Sequence, residues 1–453
     1  MRPIPAPPAP EISSKRKAGH EISVEVCLIT RLYGGGVRPG QIDERSWIRP
    51  PAFKSGLRFW WRAAFAHTYS SLAALHRQES RLFGCPGRFV GNQVEGGPGL
   101  VSVRVIKATA STEIEGEVFS PAPGSALSVA YFPAALPHEG EEEHKLAKAD
   151  TPARKVRVRL VVNLDPGIGD GDREQVEAAL RLFLLLGGVG SRTRRGAGAI
   201  GVVREDEARA CGLPLTPEEL RPFLERVLRP AGGTGAGPAG MWSLAGARAA
   251  WSGRPTADAE EAQLTLLEVL RDVRQDRPHP RSWQGKADWG QSRWPEADAI
   301  RWKTREFNRP DPTWKHQPKT ENAARYPRAA LGLPIIIHFK REDTGRGRDP
   351  FDHTISGFLP EGKGKRISRF ASPLVLRPVR LFSNGKACYV PVAILGPMSL
   401  PPQLIPVVEL TKNGAPPDLP EVSNRVPTYP IAAHAEETEN KIIDRFRSFN
   451  RIV

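Results

Sequence analysis

Basic and aromatic side chains are interleaved in the segment 47–62, which reads WIRPPAFKSGLRFWWR. From residue 49 to residue 62 it holds four basic residues and no acidic one. Cationic groups neutralise phosphates and aromatic faces stack on bases, so this mixture is typical of a surface for single-stranded nucleic acid. The alternative is a core helix with a solvated basic edge. The candidate phosphate ligands are Arg49, Lys54, Arg58 and Arg62, and the candidate stacking residue is Trp60.

A second group of candidates lies in the glycine- and arginine-rich run 187–198, GGVGSRTRRGAG. Glycines let the backbone approach a phosphate closely, and the arginines add charge and paired donors. The run is no Walker A loop, because it lacks the Gly-Lys-Ser/Thr ending. An ordinary surface turn is the alternative. The candidate ligands here are Gly188, Gly190, Ser191, Arg192, Arg194 and Arg195.

The remaining chemistry-bearing residues form no recognisable catalytic or metal-binding pattern. The ten histidines include no HExxH pair, the four cysteines include no CxxC pair, and no GxSxG motif occurs. Gly357, Gly362 and Lys363 match the first part of a P-loop, but Gly364 stands where a magnesium-binding hydroxyl is needed. We therefore expect no catalytic residues, no metal and no cofactor.

The composition of the chain also indicates an anionic binding partner. The chain has 453 residues, a formal net charge of +15 and 40% hydrophobic residues, enough for a sizeable core. A protein this basic commonly binds nucleic acid. No apolar run approaches the roughly 20 residues that span a bilayer, and residues 1–10 lack a hydrophobic signal core. We expect a cytoplasmic protein without membrane contact.

Hydrophobic periodicity organises the first half into alternating strands and helices. The pattern predicts a strand at 21–29, a helix at 53–77, strands at 100–107, 127–132 and 155–163, a helix at 173–186 and a strand at 197–203. On the first helix, Leu57, Trp61 and Phe65 form an apolar stripe beside the basic one. This order predicts an α+β fold with a ferredoxin-like (RRM-like) βαββαβ unit.

The second half begins after a Gly/Pro/Ala linker at residues 230–240. Its pattern predicts helices at 257–274 and 437–449, a buried strand at 333–339 and a hairpin of 373–380 with 387–394. The expected organisation is a flexible tail at 1–20, a first domain at 21–229 and a second at 241–453. The second domain carries a Trp- and Arg-rich insertion at 281–319, suited to partner docking, self-packing or base stacking.

Several of these motifs together resemble the RAMP-superfamily proteins of type III-B CRISPR systems. The segment 49–62 resembles the signature helix of that family, and Glu79 with Leu82-Phe83-Gly84 resembles the turn that follows it. The run 187–196 is similar to the RAMP glycine-rich loop. In the second half, residues 331–334 and 369–374 are also similar. Arg31 and Ala197 depart from the family pattern.

The resemblance implies two tandem ferredoxin-like RAMP domains with insertions and a basic cleft between them. It also implies a non-catalytic RNA-binding subunit of the Cmr effector complex in antiviral defence, near the 3′ end of the guide RNA (crRNA). Its partners would be guide and target RNA and neighbouring RAMP subunits, with no DNA-specific binding. Two alternatives stay open: a metal-independent guide-processing endoribonuclease using a histidine such as His20 or His67, and a scaffold that touches only protein.

Overall fold

The computed structural model describes most of the chain in ranges separated by gaps. These ranges are 19–32, 48–90, 93–107, 117–118, 145–146, 157–228, 241–276, 292–304, 319–323, 325–339, 350, 352–359, 365–367, 370–398, 404–410, 429–430 and 435–449. The predicted tail, the linker at 230–240 and the predicted strand at 127–132 lie outside them, apart from residues 19 and 20.

Both halves contain helices and strands, as the α+β prediction requires. The helices are α1 Pro50–Phe65, α2 Leu72–Phe83, α3 Asp170–Leu186, α4 Glu205–Ala210, α5 Pro217–Leu228, α6 Ala259–Gln275, α7 Glu296–Thr304 and α8 Ala435–Phe446. The strands are β1 His20–Leu28, β2 Cys85–Val90, β3 Gln93–Gly97, β4 Val101–Lys107, β5 Glu117–Val118, β6 Lys145–Leu146, β7 Arg157–Leu164, β8 Ile200–Val202, β9 Arg248–Trp251, β10 Ile335–Ile337, β11 His353–Leu359, β12 Lys365–Ile367, β13 Leu374–Ser383, β14 Lys386–Leu395, β15 Ile405–Leu410 and β16 Tyr429–Pro430.

The first half is built on a four-stranded antiparallel sheet with the strand order β4-β7-β1-β8. Its register pairs Val24 with Leu160 and Val26 with Val202. The valines of β1 alternate with polar residues, which buries one face of the strand. Helices α1 and α3 pack against each other and against this sheet. In sequence the elements follow the order β1-α1-β4-β7-α3-β8, with α2 and short hairpins inserted.

The second half contains two further sheets. The first is three-stranded with the order β13-β14-β9, and helix α6 packs on β13 and β14. The second has the order β10-β11-β15-β16, and β12 pairs with β11. The predicted hairpin is present: β13 and β14 pair from Leu374↔Leu395 to Ser383↔Lys386, around the turn Asn384-Gly385.

The largest apolar core joins the two halves. Leu57, Trp61 and Phe183 of the first half share one cluster of buried side chains with Trp251 and Val379 of the second. Helix α6 and helix α8 enclose a second cluster, and the sheet that contains β10 and β11 encloses a third. The halves therefore contact each other through hydrophobic packing.

The single helix predicted at 53–77 is wrong. The structure divides it into α1 and α2, because the chain leaves α1 through a short 3-10 turn at Ala66–Thr68. Ser71 then caps α2, and its Oγ accepts a hydrogen bond from the backbone N–H of Ala74 at 3.2 Å. The continuing apolar period concealed this break. Within the described ranges, no helix has the length and apolar character to cross a membrane.

Close packing of α1 on α3 generates a stability prediction at Gly56. A Cβ added there would lie 2.3 Å from Cε2 of the buried Phe183 ring. We expect Gly56→Ala to destabilise the fold by about 1–3 kcal/mol, because overpacking outweighs the gain in helix propensity. Urea unfolding measures this. Ser55→Ala, on the exposed side of the same helix, is the control and should not destabilise the fold. Equal free energies of unfolding for the two variants would contradict the close packing of Gly56 on Phe183.

Candidate nucleic-acid interface

Helix α1 presents its basic stripe because its apolar stripe is buried. Arg49 is extended, and Pro50 and Pro51 begin the helix. From this start, Leu57 and Trp61 point into the core, as predicted. The basic side chains lie one position away on the helix and are therefore half-buried at the protein surface. They are Lys54, Arg58 and Arg62.

The basic stripe faces a groove of about 490 Å³, which we call the stripe groove. Lys54, Arg58 and Arg62 line it together with Ser102 and Val103 of strand β4. The pKa of the Lys54 ammonium is lowered, first by desolvation and then by the charge of Arg58. Like charges held this close make the groove a favourable place for an anion.

Glu79 on α2 anchors two of the three cations. Its carboxylate, with only 6% of the side chain exposed, accepts hydrogen bonds from Arg58 Nε at 2.7 Å and from Arg62 Nη1 at 2.5 Å. Charge-assisted bonds of this kind hold the guanidinium groups in one orientation. One carboxylate shared by two arginines leaves the stripe with net positive charge.

The glycine-rich run 187–198 forms a loop against the other side of α1. Together they enclose a groove of about 570 Å³, which we call the loop groove. Five predicted ligands line it: Arg49, Gly188, Gly190, Ser191 and Arg194. Segments more than a hundred residues apart therefore meet at one surface, as the phosphate-loop interpretation requires.

Strand β13 of the second half holds this loop in place. The backbone N–H of Leu376 donates to the Arg194 carbonyl at 2.8 Å, and Gln263 Nε2 on α6 donates to the Arg195 carbonyl at 3.3 Å. Gly188 leaves room for the fully buried Arg377 of β13, whose Nη1 lies 3.0 Å from where a Cβ would stand. Arg377 Nη2 in turn donates to the Ile200 carbonyl at 2.9 Å.

Arg194 packs on an aromatic pair at the end of the loop groove. Its guanidinium lies 5.3 Å from the ring centroid of Phe59 and 5.5 Å from that of Trp242. It also donates to the Ser372 carbonyl. Burial lowers the pKa of Arg194 to about 10, so the group remains a cation at neutral pH.

Arg192 and Arg195 line neither groove. Their guanidinium groups lie near Arg274 of α6, and burial together with the charges of Arg274 and Arg192 lowers the pKa of Arg195 to about 9. Arg192 adopts a left-handed backbone conformation with φ of 58°. The three arginines of the loop therefore face different surroundings, which their spacing did not indicate.

Comparison with known proteins places this surface in a family. The model of the RAMP superfamily matches residues 26–201, from strand β1 through α1 and the glycine-rich loop to β8. The family that the first half of the chain matches is therefore the RAMP superfamily. The match confirms the resemblance seen in the signature helix and the loop. No curated protein matches the chain in sequence.

Two solved structures are similar to the chain over most of its length, and a third is similar to less than half of it. Cmr1 from Pyrococcus furiosus has 16% identity and a TM-score of 0.46, covering 96% of this chain and 97% of Cmr1. A chain of a type III-B Cmr-beta complex bound to cognate target RNA has 12% identity and a TM-score of 0.43, covering 96% and 100%. Cmr6 from Pyrococcus furiosus has 14% identity and a TM-score of 0.23, covering 41% and 98%.

The predicted stacking residue Trp60 lines the loop groove but is only 3% exposed. Its ring makes edge-to-face contacts with Phe59 at 5.3 Å and Trp242 at 6.0 Å. The half-buried Phe59 lines the same groove. Base stacking on Trp60 stays a prediction.

Sequence reasoning missed the residues that the second half of the chain contributes. Trp242 and Phe370 line a pocket beside Phe59, and Arg377 supports the loop from below. An isolated Trp-Ser pair and a strand arginine carry no local signal of such a role. His20 and His67, the candidates for the nuclease alternative, are not among the residues lining either groove.

The described part of the Trp-rich segment packs within its own half. Trp294 is buried, and its Nε1 donates to the Val273 carbonyl at 2.7 Å. Lys441 of α8 lies 3.9 Å from the Trp294 ring centroid. Trp302 Nε1 donates to the Lys319 carbonyl. Trp283, Trp289 and Trp314 lie outside the described residues.

The shared carboxylate generates a prediction about the basic stripe. We expect Glu79→Gln to destabilise the fold by about 1–3 kcal/mol, because two charge-assisted hydrogen bonds lose their anionic acceptor. Chemical denaturation checks this. Glu225→Gln is the control, since its exposed pair with Arg221 should contribute no more than about 0.5 kcal/mol. If Glu79→Gln lowered the free energy of unfolding by no more than the control does, the result would contradict the anchoring of the two arginines by Glu79.

Proposed function

We propose that this RAMP protein is a non-catalytic RNA-binding subunit of a type III-B CRISPR (Cmr) effector complex. In that role it binds guide RNA, target RNA or both, near the 3′ end of the guide. The observation that carries the proposal is the meeting of the signature helix and the glycine-rich loop at one basic surface. Lys54, Arg58 and Arg62 lie on one side of α1, and Arg49, Gly188 and Arg194 on the other.

Single-stranded RNA suits this surface better than duplex DNA. The two grooves lie beside one helix, and the aromatic Phe59 lies at the loop groove, a combination of basic and aromatic groups that proteins use for flexible single strands. The ligands we propose to contact phosphates are cationic side chains and glycine backbone, which grip the strand without reading its sequence. Sequence reading is then left to base pairing between guide and target.

The order of elements supports two related units, and we propose that both are ferredoxin-like. In the first half, β1-α1-β4-β7-α3-β8 gives the sheet order β4-β7-β1-β8. In the second, β9-α6-β13-β14 gives β13-β14-β9, the same neighbour relation without a fourth strand among the described residues. The remaining sheet, β10-β11-β15-β16, is then an insertion.

The likeness to Cmr structures supports the assembly part of the proposal only as analogy. One similar chain comes from a Cmr-beta complex bound to cognate target RNA. By that analogy the partners of this protein are guide and target RNA and neighbouring RAMP subunits. We propose that the protein works in the cytoplasm.

RNA binding is tested with the purified full-length chain and end-labelled single-stranded RNA across a salt series. If Lys54 in the stripe groove and Arg49 in the loop groove each contact a phosphate, Lys54→Gln and Arg49→Gln should each lower the slope of log affinity against log salt by about 0.7. The matched control is Lys386→Gln, because Lys386 lies at the far end of the β13–β14 hairpin from the loop groove. Its slope should equal that of the wild type.

Three results would contradict the proposal in different ways. Unchanged slopes in both test variants would remove these phosphate contacts. RNA cut at a fixed position without metal would favour the guide-processing nuclease. Assembly with RAMP subunits that survives RNase and the loss of the basic residues, with no RNA bound at low salt, would favour the protein-only scaffold.

A further inference from the structure

A separate pocket of about 230 Å³ lies between the two grooves. Its walls come from both halves of the chain. Phe59 of α1 forms one side, and Trp242, Phe370, Met241 and Met398 form the others. Flat rings and polarisable thioethers make such a cavity suited to an aromatic, uncharged body.

The aromatic wall of the pocket is rigid before any ligand arrives. The rings of Phe59 and Trp242 are stacked, with centroids 5.4 Å apart and an interplanar angle of 28°. Trp242 Nε1 donates to the Pro373 carbonyl at 2.7 Å, which satisfies its polar edge. Trp60 meets both rings edge-on. A site whose walls are already ordered loses little entropy on binding.

Two cations complete the pocket and connect it to the grooves. Arg194 lines both the pocket and the loop groove, and Arg62 lines both the pocket and the stripe groove. No acidic side chain is among the described residues that line the pocket. The cavity is therefore apolar within and positively charged at both of its connections.

An occupant with a flat apolar body and a negatively charged chain on either side satisfies both features. A nucleotide within an RNA strand has this chemistry, because its base stacks on aromatic or guanidinium planes while its phosphates pair with arginine. An apolar side chain of a neighbouring protein would fill the cavity but would leave the two cations unused.

We propose that the pocket between Phe59, Trp242 and Phe370 accepts one unstacked base of the bound RNA strand, with the flanking phosphates on Arg62 and Arg194. This inference rests on the proposed RNA-binding function and adds a base site to it. The strand then runs from the stripe groove past the end of α1 to the loop groove. The base site contributes affinity without demanding a particular sequence, since every base has a stacking face.

The test compares RNA with an abasic ribose–phosphate chain of equal length, bound to the full-length protein. Wild-type protein should prefer RNA. Ala371→Trp places a bulky ring at the exposed rim of the pocket and should reduce that preference by about 5- to 150-fold, the range expected for the loss of one stacked base. The salt slope should stay unchanged, because no phosphate ligand is altered. Ala371→Ser is the matched control and should behave as wild type.

A second variant tests whether the effect of Ala371→Trp comes from misfolding. Phe370→Leu keeps apolar volume but removes a flat face, so it should lower the preference for RNA in the same direction, with a circular dichroism spectrum and unfolding midpoint like those of the wild type. Equal binding of RNA and abasic chain by the wild type would overturn the base site and leave the RNA-binding proposal intact. Binding of neither at low salt would overturn both. RNA binding unchanged by Ala371→Trp, with loss of assembly with another subunit, would assign the pocket to protein contact.

Discussion

The contact between the glycine-rich loop and strand β13 is the constraint on which the interface depends. The loop belongs to the first half and β13 to the second. Their backbones are joined by the hydrogen bond from Leu376 to the Arg194 carbonyl, and Arg377 lies beneath Gly188. Val375 of β13 lines the loop groove, and Pro373, just before β13, lines the pocket beside it. The basic surface is thus a property of the two halves together.

The same contact buries positively charged side chains. Their desolvation destabilises the fold, but their charge favours the binding of an anion nearby. Arg377 is fully buried, and in the described part of the chain its Nε and Nη1 have no hydrogen-bond partner. Burial lowers its pKa to about 9, and Arg194 and Arg195 are shifted in the same direction for the same reason. Cations held in a poorly solvated region project their field into neighbouring clefts with little screening. Hydrophobic packing around Trp251 and Val379 offsets the desolvation cost.

Local pattern was sufficient to predict the elements but not their assembly. The alternation in β1 and the apolar stripe on α1 identify their buried faces because each pattern is repeated several times in one element. The break between α1 and α2 was missed, since one serine cap at Ser71 is a weak signal inside a continuing period. Both segments that we propose to bind phosphate were identified from composition. The partners of those segments were not, because Glu79, Trp242 and Arg377 act only through long-range contacts. The burial of Trp60 was not predicted, because side-chain type alone does not distinguish a covered ring from an open one.

Hydrogen–deuterium exchange of the full-length chain, with and without single-stranded RNA, tests most directly whether both halves form one interface. RNA should slow exchange together in α1, in the loop 187–198 and in residues 370–376. Protection of those three segments at the same RNA concentration is the predicted result. Protection confined to one half, or found on the outer face of α5 with these segments unchanged, would contradict a shared RNA interface.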